Sequence, residues 1–416
     1  MAAGAERVSR DLELLGLRPA GATRVGLGDD APFLGRDAEL GLLVGRFYET
    51  VDAREPYAVL VTGDAGVGKT RIAQEVVRRI SEVPGARVLW GRSAPYGEGR
   101  DLAAVSEMVR TACGIEPGDS IAVARERVAR TVARLSLPPY DAAVPALMAE
   151  RLGLLLGLED VDAEGLRESA APGPPTGGGP VREAVATLFT AIAAAGPLLL
   201  VIDDLHWATP TLIDGLLEVA NAVRGPVLLL ALGRTEMLDV PGRPQWWSQT
   251  RTELVPLAPL EPGAAERLLR AYLGASELDD AVRSALLDRA QGNPFFLAEL
   301  LHLLIDRGAL VRVGTRWVLE GDVPEDVLPA GVQAVLAARI DDLDGPAKGV
   351  LRDASVLGLR VTLPELEAVG RASGHGQPDV VRAAVDALVE RRLLEPEGEA
   401  YRFSHTLVRD VAYAGL

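Results

Sequence analysis

Residues 57–77, YAVLVTGDAGVGKTRIAQEVV, change from a strand pattern to a helix pattern across a glycine-rich turn. YAVLVT is a short apolar run rich in valine, and KTRIAQEVV has the apolar spacing of a helix. Between them, GDAGVGKT fits the pattern G-x-x-x-x-G-K-(S/T) at every fixed position. The sequence therefore predicts a strand, a phosphate-binding loop and a helix, which is how a βαβ unit begins.

Each residue type in this loop suits an anion. Glycines permit backbone angles that aim N–H groups at phosphate oxygens, and the N-terminus of a helix adds partial positive charge. Lys69 is predicted to reach β- and γ-phosphates and the Thr70 hydroxyl to bind Mg²⁺; the alternative is a glycine-rich turn with a solvated lysine. Only two of the 43 basic residues are lysines, and one is in this loop. The predicted phosphate-binding residues are Gly63, Asp64, Ala65, Gly66, Val67, Gly68, Lys69 and Thr70.

Composition limits the classes of protein to consider. A chain of 416 residues favours two to four domains. No apolar run approaches the roughly 18 to 20 residues that span a bilayer, so we expect neither a secreted nor a membrane protein. The single cysteine, Cys113, rules out an intrachain disulfide and favours a buried thiol in a reducing cytoplasm. A net charge of -16 argues against a protein that mainly binds nucleic-acid phosphates.

Strands alternate with helices after the loop. Apolar strand patterns occur in ARVLWG, PLLLVIDD and PVLLLALGR, and the helix-like TLIDGLLEVANAV separates the last two. This alternation is typical of a parallel sheet with helices on both faces. We predict an α/β P-loop NTPase domain over residues 31–257, with a helical insertion at about 100–158 and a flexible loop rich in Pro and Gly at 159–180. Residues 1–30 are interpreted as a leader or linker remnant.

Helices dominate the sequence beyond residue 257. Residues 258–327 are predicted to be helical and to end in a hairpin with Gly314 and Thr315 in its turn. Residues 328–416 contain about three amphipathic helices and then two short strands within RRLLEPEGEAYRFSH. Helices followed by a β-wing predict a winged-helix domain.

Two strand ends carry residues that suit phosphoryl chemistry. Asp203 follows the buried pattern LLLVI, and ligands of open α/β sheets bind at the carboxyl ends of strands. We predict that Asp203 binds Mg²⁺ and that Asp204 polarises the attacking water, although Asp-Asp after a strand can also be a loop or a helix cap. Arg234 closes the next strand and would lie beside the γ-phosphate if the strands are adjacent. The alternative for Arg234 is a surface ion pair.

Seven segments in a fixed order resemble the STAND-class ATPase module of large bacterial regulators. Such modules, with an AAA-like or Orc1-like ATPase domain, are fused to class III adenylate cyclase domains or to LuxR-type DNA-binding domains. The resemblance covers roughly residues 31–416. It implies an ATPase domain followed by a helical lid and a winged-helix domain, with slow hydrolysis and with ATP and ADP as ligands. The segments are FLGRDAEL, the P-loop, PYGEG (95–99), VIDDLHWATPTLID, LLLALGRTEML, GNPFFLAELL and YRFSHTLVRDVAYAGL.

The resemblance implies roles for five further residues. Gly35 and Arg36 would contact the nucleotide largely through their backbone, and Pro294 in the lid would pack on the base. His405 would contact the β-phosphate of ADP and hold a closed resting state. His206 also matches the family. The alternatives are a helix start at Pro294, a half-buried structural histidine at 405, and simple packing of His206.

The leading hypothesis is a switch in which ADP holds the domains closed, ATP opens them and hydrolysis resets them. One alternative is an ATPase regulator that binds DNA through its winged helix, against which stand the acidic charge and the three glutamates of EPEGEA. Another alternative is a scaffold that holds nucleotide without turnover. We expect no adenylate cyclase activity, because no cyclase metal-binding segment is recognisable.

The chain departs from the family at one position and in the domains expected on either side. Thr209 stands where the family usually has an acidic residue, at a position that caps the next helix. No cyclase-like domain is recognisable before Phe33 and no DNA-binding domain after Leu416, so a fragment of a larger regulator or a stand-alone switch is expected. The expected partners are ATP, other protein domains or subunits that act as effector or sensor, and further copies of the chain in a nucleotide-dependent oligomer. We expect no contact with a membrane and no direct binding of DNA.

Overall fold

The computed structural model divides the chain into two compact units. Of the described residues, the first contains Arg36–Asp64 and Lys69–Ala258, and the second contains residues 32–35, Ala65–Gly68 and Pro259–Leu416. The structure describes residues 32–93, 102–116, 118–135, 144–158, 179–238, 251–273, 278, 280–313, 316–319, 329, 331–373 and 377–415. The predicted leader, the PYGEG segment and the turn of the hairpin lie outside these residues.

The first unit is built on a parallel sheet of five strands. Its order is β2-β3-β4-β1-β5, and every neighbouring pair is parallel. All residues of β3 and β4 are buried, as expected for central strands with helices on both faces. The strands are β1 (Tyr57–Thr62), β2 (Arg87–Arg92), β3 (Leu198–Asp203), β4 (Val227–Gly233) and β5 (Thr252–Pro256).

The segments predicted as helical at KTRIAQEVV, at about 100–158 and at TLIDGLLEVANAV contain helices, whereas the helix Gly179–Ala195 was not predicted. On one face of the sheet, Leu60, Leu200 and Leu229 join a single apolar core with α3 to α7. Helices α1 and α2 precede β1 and follow the P-loop in the chain, and both contact β4. Buried Cys113 lies in the same core as Leu60, and burial raises the pKa of its thiol to about 11. The helices are α1 (Asp37–Ala53), α2 (Lys69–Ile80), α3 (Ala103–Cys113), α4 (Ile121–Arg134), α5 (Val144–Leu155), α6 (Gly179–Ala195) and α7 (Pro210–Ala222).

Two predicted boundaries in the first unit need correction. The strand expected at 86–91 runs one residue further along the chain, from Arg87 to Arg92. The loop expected at 159–180 is shorter at its end, because α6 already begins at Gly179. Pro180 suits this first turn, since its fixed φ is helical and the missing N–H is not needed there. Residues 159–178 lie outside the described part of the chain.

The second unit contains helices, a hairpin and a small sheet. Strands β6 and β7 pair antiparallel, as the hairpin pattern predicts. Strands β8, β9 and β10 form an antiparallel sheet in the order β8-β10-β9. The elements are α8 (Pro262–Leu273), α9 (Asp280–Ala290), α10 (Pro294–Asp306), β6 (Leu310–Val313), β7 (Arg316–Leu319), α11 (Val332–Asp341), α12 (Gly345–Leu357), β8 (Arg360–Thr362), α13 (Leu363–Ser373), α14 (Pro378–Glu390), β9 (Leu394–Glu397), β10 (Ala400–Phe403) and α15 (Thr406–Ala414).

The sequence missed part of this C-terminal region. Four helices, α11 to α14, precede β9 where about three were expected. The additional strand β8 was not predicted because it has three residues, of which only Val361 is buried. No helix among the described residues is both long and apolar enough to cross a membrane.

Arg339 is the centre of a buried ionic network in the second unit. The side chain is 1% exposed, and its guanidinium donates to Glu299, to Asp306 Oδ2 at 2.9 Å and to the carbonyl of Arg391. This network connects α10 with α11 and with the end of α14. Removing one partner of a buried pair leaves an uncompensated charge in the interior.

We therefore expect Arg339→Met to lower the free energy of unfolding by about 3 to 5 kcal/mol, the usual cost of breaking a buried ion pair. Urea unfolding followed by circular dichroism measures this change. The matched control is Arg382→Met, because Arg382 is exposed and lies 3.8 Å from its partner Glu367. Equal unfolding midpoints for the two variants would show that the network contributes no more than a surface pair.

Candidate nucleotide-binding site

The loop GDAGVGKT connects the end of β1 with the start of α2. Gly66 and Gly68 have φ angles of 81° and 105°, which side-chain-bearing residues rarely adopt. Helix α2 begins at Lys69, so its N-terminus directly follows the loop. A turn of this shape before a helix N-terminus is suited to phosphate.

Lys69 is buried within this loop. Its Nζ donates to the carbonyl oxygens of Gly63 and Asp64, each at 2.8 Å. Burial, and the nearby charge of Arg234, lower the pKa of Lys69 to about 8 even though three aspartates oppose the shift. A buried ammonium whose hydrogen-bond acceptors are neutral carbonyls gains from an anionic ligand, so the residues present fit a phosphate group.

Asp203 and Thr70 are 133 positions apart in the sequence and meet at the carboxyl end of the sheet. The Thr70 hydroxyl donates to Asp203 Oδ2 at 3.1 Å, and the amide of Asp204 donates to Oδ1 at 2.9 Å. A carboxylate and a hydroxyl in contact suit Mg²⁺, which usually takes few protein ligands and completes its shell with phosphate oxygens and waters. Within the described residues, no three acidic, His or Cys side chains form a metal cluster.

Asp204 follows the strand in a left-handed backbone conformation, with φ 56°. A non-glycine residue in this region stores strain of about 1 to 3 kcal/mol and is often found at functional sites. Burial, together with the charge of Asp203, raises the pKa of Asp204 to about 7. A carboxyl group with a pKa near neutrality can accept a proton from water at physiological pH.

Arg234 was predicted to lie beside the γ-phosphate if its strand is adjacent to the other strands of the site, and the strands are adjacent. Strand β4 is hydrogen-bonded to both β1 and β3, so its carboxyl end lies between the P-loop strand and Asp203. Arg234 comes directly after β4, and its guanidinium carbon is 5.7 Å from the centre of the Trp207 ring. Its charge reaches both Lys69 and Asp204, since it lowers the pKa of each.

Arg92 belongs to the site although the sequence analysis missed it. It closes β2, donates from Nη2 to Asp203 Oδ2 at 3.1 Å, and lies 3.7 Å from Asp204 Oδ2. A signal was present, because both VLWGR and LLALGR end a strand with Gly-Arg. A side chain at Gly91 would meet the carbonyl oxygen of Ala104 at 2.0 Å, so glycine is required before this arginine.

Gly35 and Arg36 precede α1. Gly35 has φ 69°, and a Cβ there would lie 2.5 Å from the Cβ of Ala264. The guanidinium of Arg36 donates to the carbonyl of Ala258 and, at 3.0 Å, to Glu39. Its side chain is thus engaged within the first unit, which leaves the backbone for the predicted nucleotide contact.

Pro294 is the first residue of α10. Asn293 caps this helix, since its side chain accepts a hydrogen bond from the amide of Phe296 at 3.1 Å. The structure therefore contains the helix start that was the alternative interpretation of Pro294. The same Asn293 donates to the carbonyl of Ala65 at 2.9 Å, and both residues belong to the second unit. The contact of Pro294 with a base stays a prediction.

His405 caps α15. Its Nδ1 accepts from the amide of Leu407 at 3.1 Å, and its ring stacks on Phe295 with the ring centres 4.0 Å apart. The amide of Phe295 in turn donates to the carbonyl of Gly66 at 3.4 Å, again within the second unit. Phe295 was not singled out in the sequence, where it lies within GNPFF. His206 packs against Trp207, with ring centres 5.1 Å apart.

The P-loop directly follows β1 of a parallel sheet, and Asp203 ends β3, which is separated from β1 by one strand. This arrangement defines the class of P-loop nucleoside triphosphatases. Residues 32–230 match a family model described as an AAA ATPase domain. This match spans the P-loop and strands β1 to β3 and agrees with the ATPase domain that the sequence predicts. Residues 262–313 match a second model, described as a domain of unknown function.

Relatives of known sequence and structure cover most of the chain. An uncharacterized protein of Rhizobium meliloti (strain 1021) is 27% identical over 408 residues, which are 92% of this chain and 35% of that protein. This chain thus spans about a third of the length of the curated relative it matches.

Two solved structures extend over nearly the whole chain. A Signal Transduction ATPase with Numerous Domains (STAND) protein with a tetratricopeptide repeat sensor, from Pyrococcus horikoshii, is 15% identical, with a TM-score of 0.48 over 95% of this chain and 44% of that chain. The ORC1 protein of Aeropyrum pernix, solved in complex with DNA, is 14% identical, with a TM-score of 0.42 over 92% of this chain and 93% of that chain.

Proposed function

We propose that this chain is a Mg²⁺-dependent, slowly hydrolysing ATPase whose bound nucleotide, ADP or ATP, controls a lid formed by residues 258–327 and a winged-helix domain formed by residues 328–416. Lys69 and residues 63–68 bind the phosphates. When bound, Mg²⁺ supplies Lewis-acid stabilisation of phosphate charge, and Thr70 and Asp203 hold it. Asp204 accepts a proton from the attacking water, and Arg234 stabilises charge on the transferred group.

The row of contacts from Gly66 through Phe295 to His405 supports the switch part of the proposal. The amide of Phe295 bonds to the P-loop carbonyl of Gly66, and the same residue's ring stacks on His405. Because Nδ1 of His405 accepts a backbone N–H, the ring proton of a neutral imidazole is on Nε2. We propose that this N–H donates to the β-phosphate when ADP is bound.

A nucleotide shifts an equilibrium between two states only when it binds them with different affinities. We therefore propose that His405 favours ADP over ATP, and that effector or sensor partners respond to the state that each nucleotide stabilises. Turnover is slow in such a device, because each state must persist long enough to be detected. Nucleotide-dependent oligomers are compatible with this proposal.

The test is His405→Ala with fluorescent ADP and ATP analogues. A hydrogen bond to a charged group contributes about 1.5 to 3 kcal/mol, so we expect ADP affinity to fall about 10- to 100-fold while ATP affinity changes little. His302→Ala is the matched control, because His302 is a half-buried histidine of α10 bonded to Glu299. Equal losses of ADP and ATP affinity, or an effect no larger than that of His302→Ala, would overturn the switch mechanism and leave the ATPase intact.

A further inference from the structure

The first unit contains a cavity on the face of the sheet that packs against α3, α6 and α7. Its volume is about 530 Å³, within the range of about 300 to 1,000 Å³ typical of small-molecule sites. The inner wall is apolar and includes Leu200, Ile202, Leu229 and Leu216. No residue assigned to the nucleotide site lines it.

The cavity opens at the amino-terminal ends of β1, β4 and β5. Residues before these strands line its mouth: Arg54 before β1, Arg224 before β4 and Arg251 before β5. The P-loop, Asp203 and Arg234 follow the carboxyl ends of the strands. The cavity mouth therefore lies at the amino-terminal ends of the strands, and the nucleotide site lies at their carboxyl ends.

The mouth is positively charged although the chain is strongly acidic. Three arginines line it against one acidic residue, Glu55, while the net charge of the whole chain is -16. Arg251 pairs with Glu55, and both side chains are about half exposed, so this pair is weak and can exchange partners. Arg224 donates from Nη1 to the carbonyls of Asn221 and Val223 at the end of α7. A guanidinium has five N–H donors, so these two bonds do not use all of them.

The depth of the cavity sets the shape of a ligand. Val227 and Ala231 both line it and are four residues apart on β4, a distance of about 13 Å at about 3.3 Å per residue. An extended alkyl chain of about eleven carbons has a similar length, because each C–C bond of about 1.5 Å advances the zigzag chain by about 1.3 Å. Each methylene that leaves water contributes about 0.8 kcal/mol, so an apolar tail of this length gains most of its binding free energy from the cavity.

We propose that this cavity binds an amphipathic anion, a medium-length aliphatic carboxylate whose tail fills the apolar interior and whose head pairs with the arginines at the mouth. The lining residues Ile202 and Leu205 stand immediately before and after the acidic pair Asp203 and Asp204 in the chain. An occupant thus contacts the strand that carries the proposed Mg²⁺ and water-activating residues.

The probe is dodecanoate below its micelle concentration, titrated into the full chain by isothermal calorimetry without nucleotide. Binding without nucleotide is independent of the proposed ATPase function, so failure of either proposal is distinguishable from failure of the other. We expect saturable binding to the wild type. Dodecan-1-ol and hexanoate are expected to bind at least about 10-fold more weakly, since the first lacks the charged head and the second six methylenes.

Two variants test the site itself. Ala220→Trp fills the cavity from α7 and is expected to reduce dodecanoate affinity at least about 20-fold; Ala222→Trp, at an exposed position of the same helix outside the lining, is its control. Arg251→Glu reverses one charge at the exposed mouth and is expected to reduce dodecanoate affinity about 10-fold and leave dodecanol binding unchanged. Arg283→Glu, an exposed arginine of the second unit, is the control for charge.

Three outcomes would overturn the proposal. The first is a wild type that shows no saturable dodecanoate binding. The second is equal affinity in Ala220→Trp and Ala222→Trp. The third is unchanged dodecanoate affinity in Arg251→Glu, which is a surface substitution and keeps the test valid even if Ala220→Trp fails to fold.

Discussion

Replacing Lys69 by alanine is expected to weaken ATP binding at least about 100-fold and to reduce hydrolysis to background. The ammonium is buried between two carbonyls of the P-loop and is within reach of the charges of Asp203, Asp204 and Arg234. Its loss removes a charge-assisted contact to phosphate in a site of low dielectric, and deleting one such donor typically costs about 2.7 to 4 kcal/mol.

Calorimetric titration with Mg-ATP and a phosphate-release assay measure the two effects. Lys348→Ala is the matched control, because Lys348 is the other lysine of the chain and lies in the second unit, paired with exposed Asp341. We expect this control to bind and hydrolyse ATP like the wild type. Lys69→Ala that still binds ATP within about threefold of wild type, a difference of less than 1 kcal/mol, would contradict the assignment of the P-loop.

Asparagine at position 204 is expected to reduce the rate of hydrolysis by about 100-fold or more and to leave ATP affinity nearly unchanged, since general base catalysis contributes about 10² to 10⁴. Asparagine keeps the size of the side chain and tolerates the left-handed backbone at φ 56°, so the fold around the site is retained. Only the proton acceptor is lost. Asp203→Asn, by contrast, is expected to remove the dependence of ATP affinity on Mg²⁺.

Single-turnover hydrolysis and titrations with and without Mg²⁺ separate the two aspartates. Asp214→Asn serves as the control, because Asp214 is exposed on α7. Hydrolysis by Asp204→Asn at the wild-type rate would assign the proton acceptor elsewhere. A Mg²⁺ dependence unchanged in Asp203→Asn would refute the proposed metal ligand.

The sequence predicted the parts of the site that follow local patterns. Lys69 and Thr70 belong to one motif of fixed spacing, and Asp203 and Arg234 each follow an apolar strand. That they meet depends on strand order, which places β4 between β1 and β3. Strand order is not a local property, so the position of Arg234 beside the γ-phosphate could be predicted only on the condition that the strands are adjacent.

The residues that the sequence missed depend on contacts between distant segments. Arg92 is one of 43 basic residues, and its pairing with Asp203 becomes visible only when β2 lies beside β3. Phe295 has the pattern of a core residue in an apolar helix, and its contacts with Gly66 and His405 span long stretches of sequence. Strand β8 was missed for a different reason, because three residues with one buried side chain carry too short a pattern.

The most direct test of the central claim is to identify the nucleotide that the purified chain carries. Ion-exchange chromatography of the supernatant after acid denaturation separates ADP from ATP, and the same measurement follows incubation with ATP and Mg²⁺. A P-loop switch at rest predicts stoichiometric ADP in the wild type and none in Lys69→Ala. A wild type that carries no adenine nucleotide and acquires none from Mg-ATP would contradict the account.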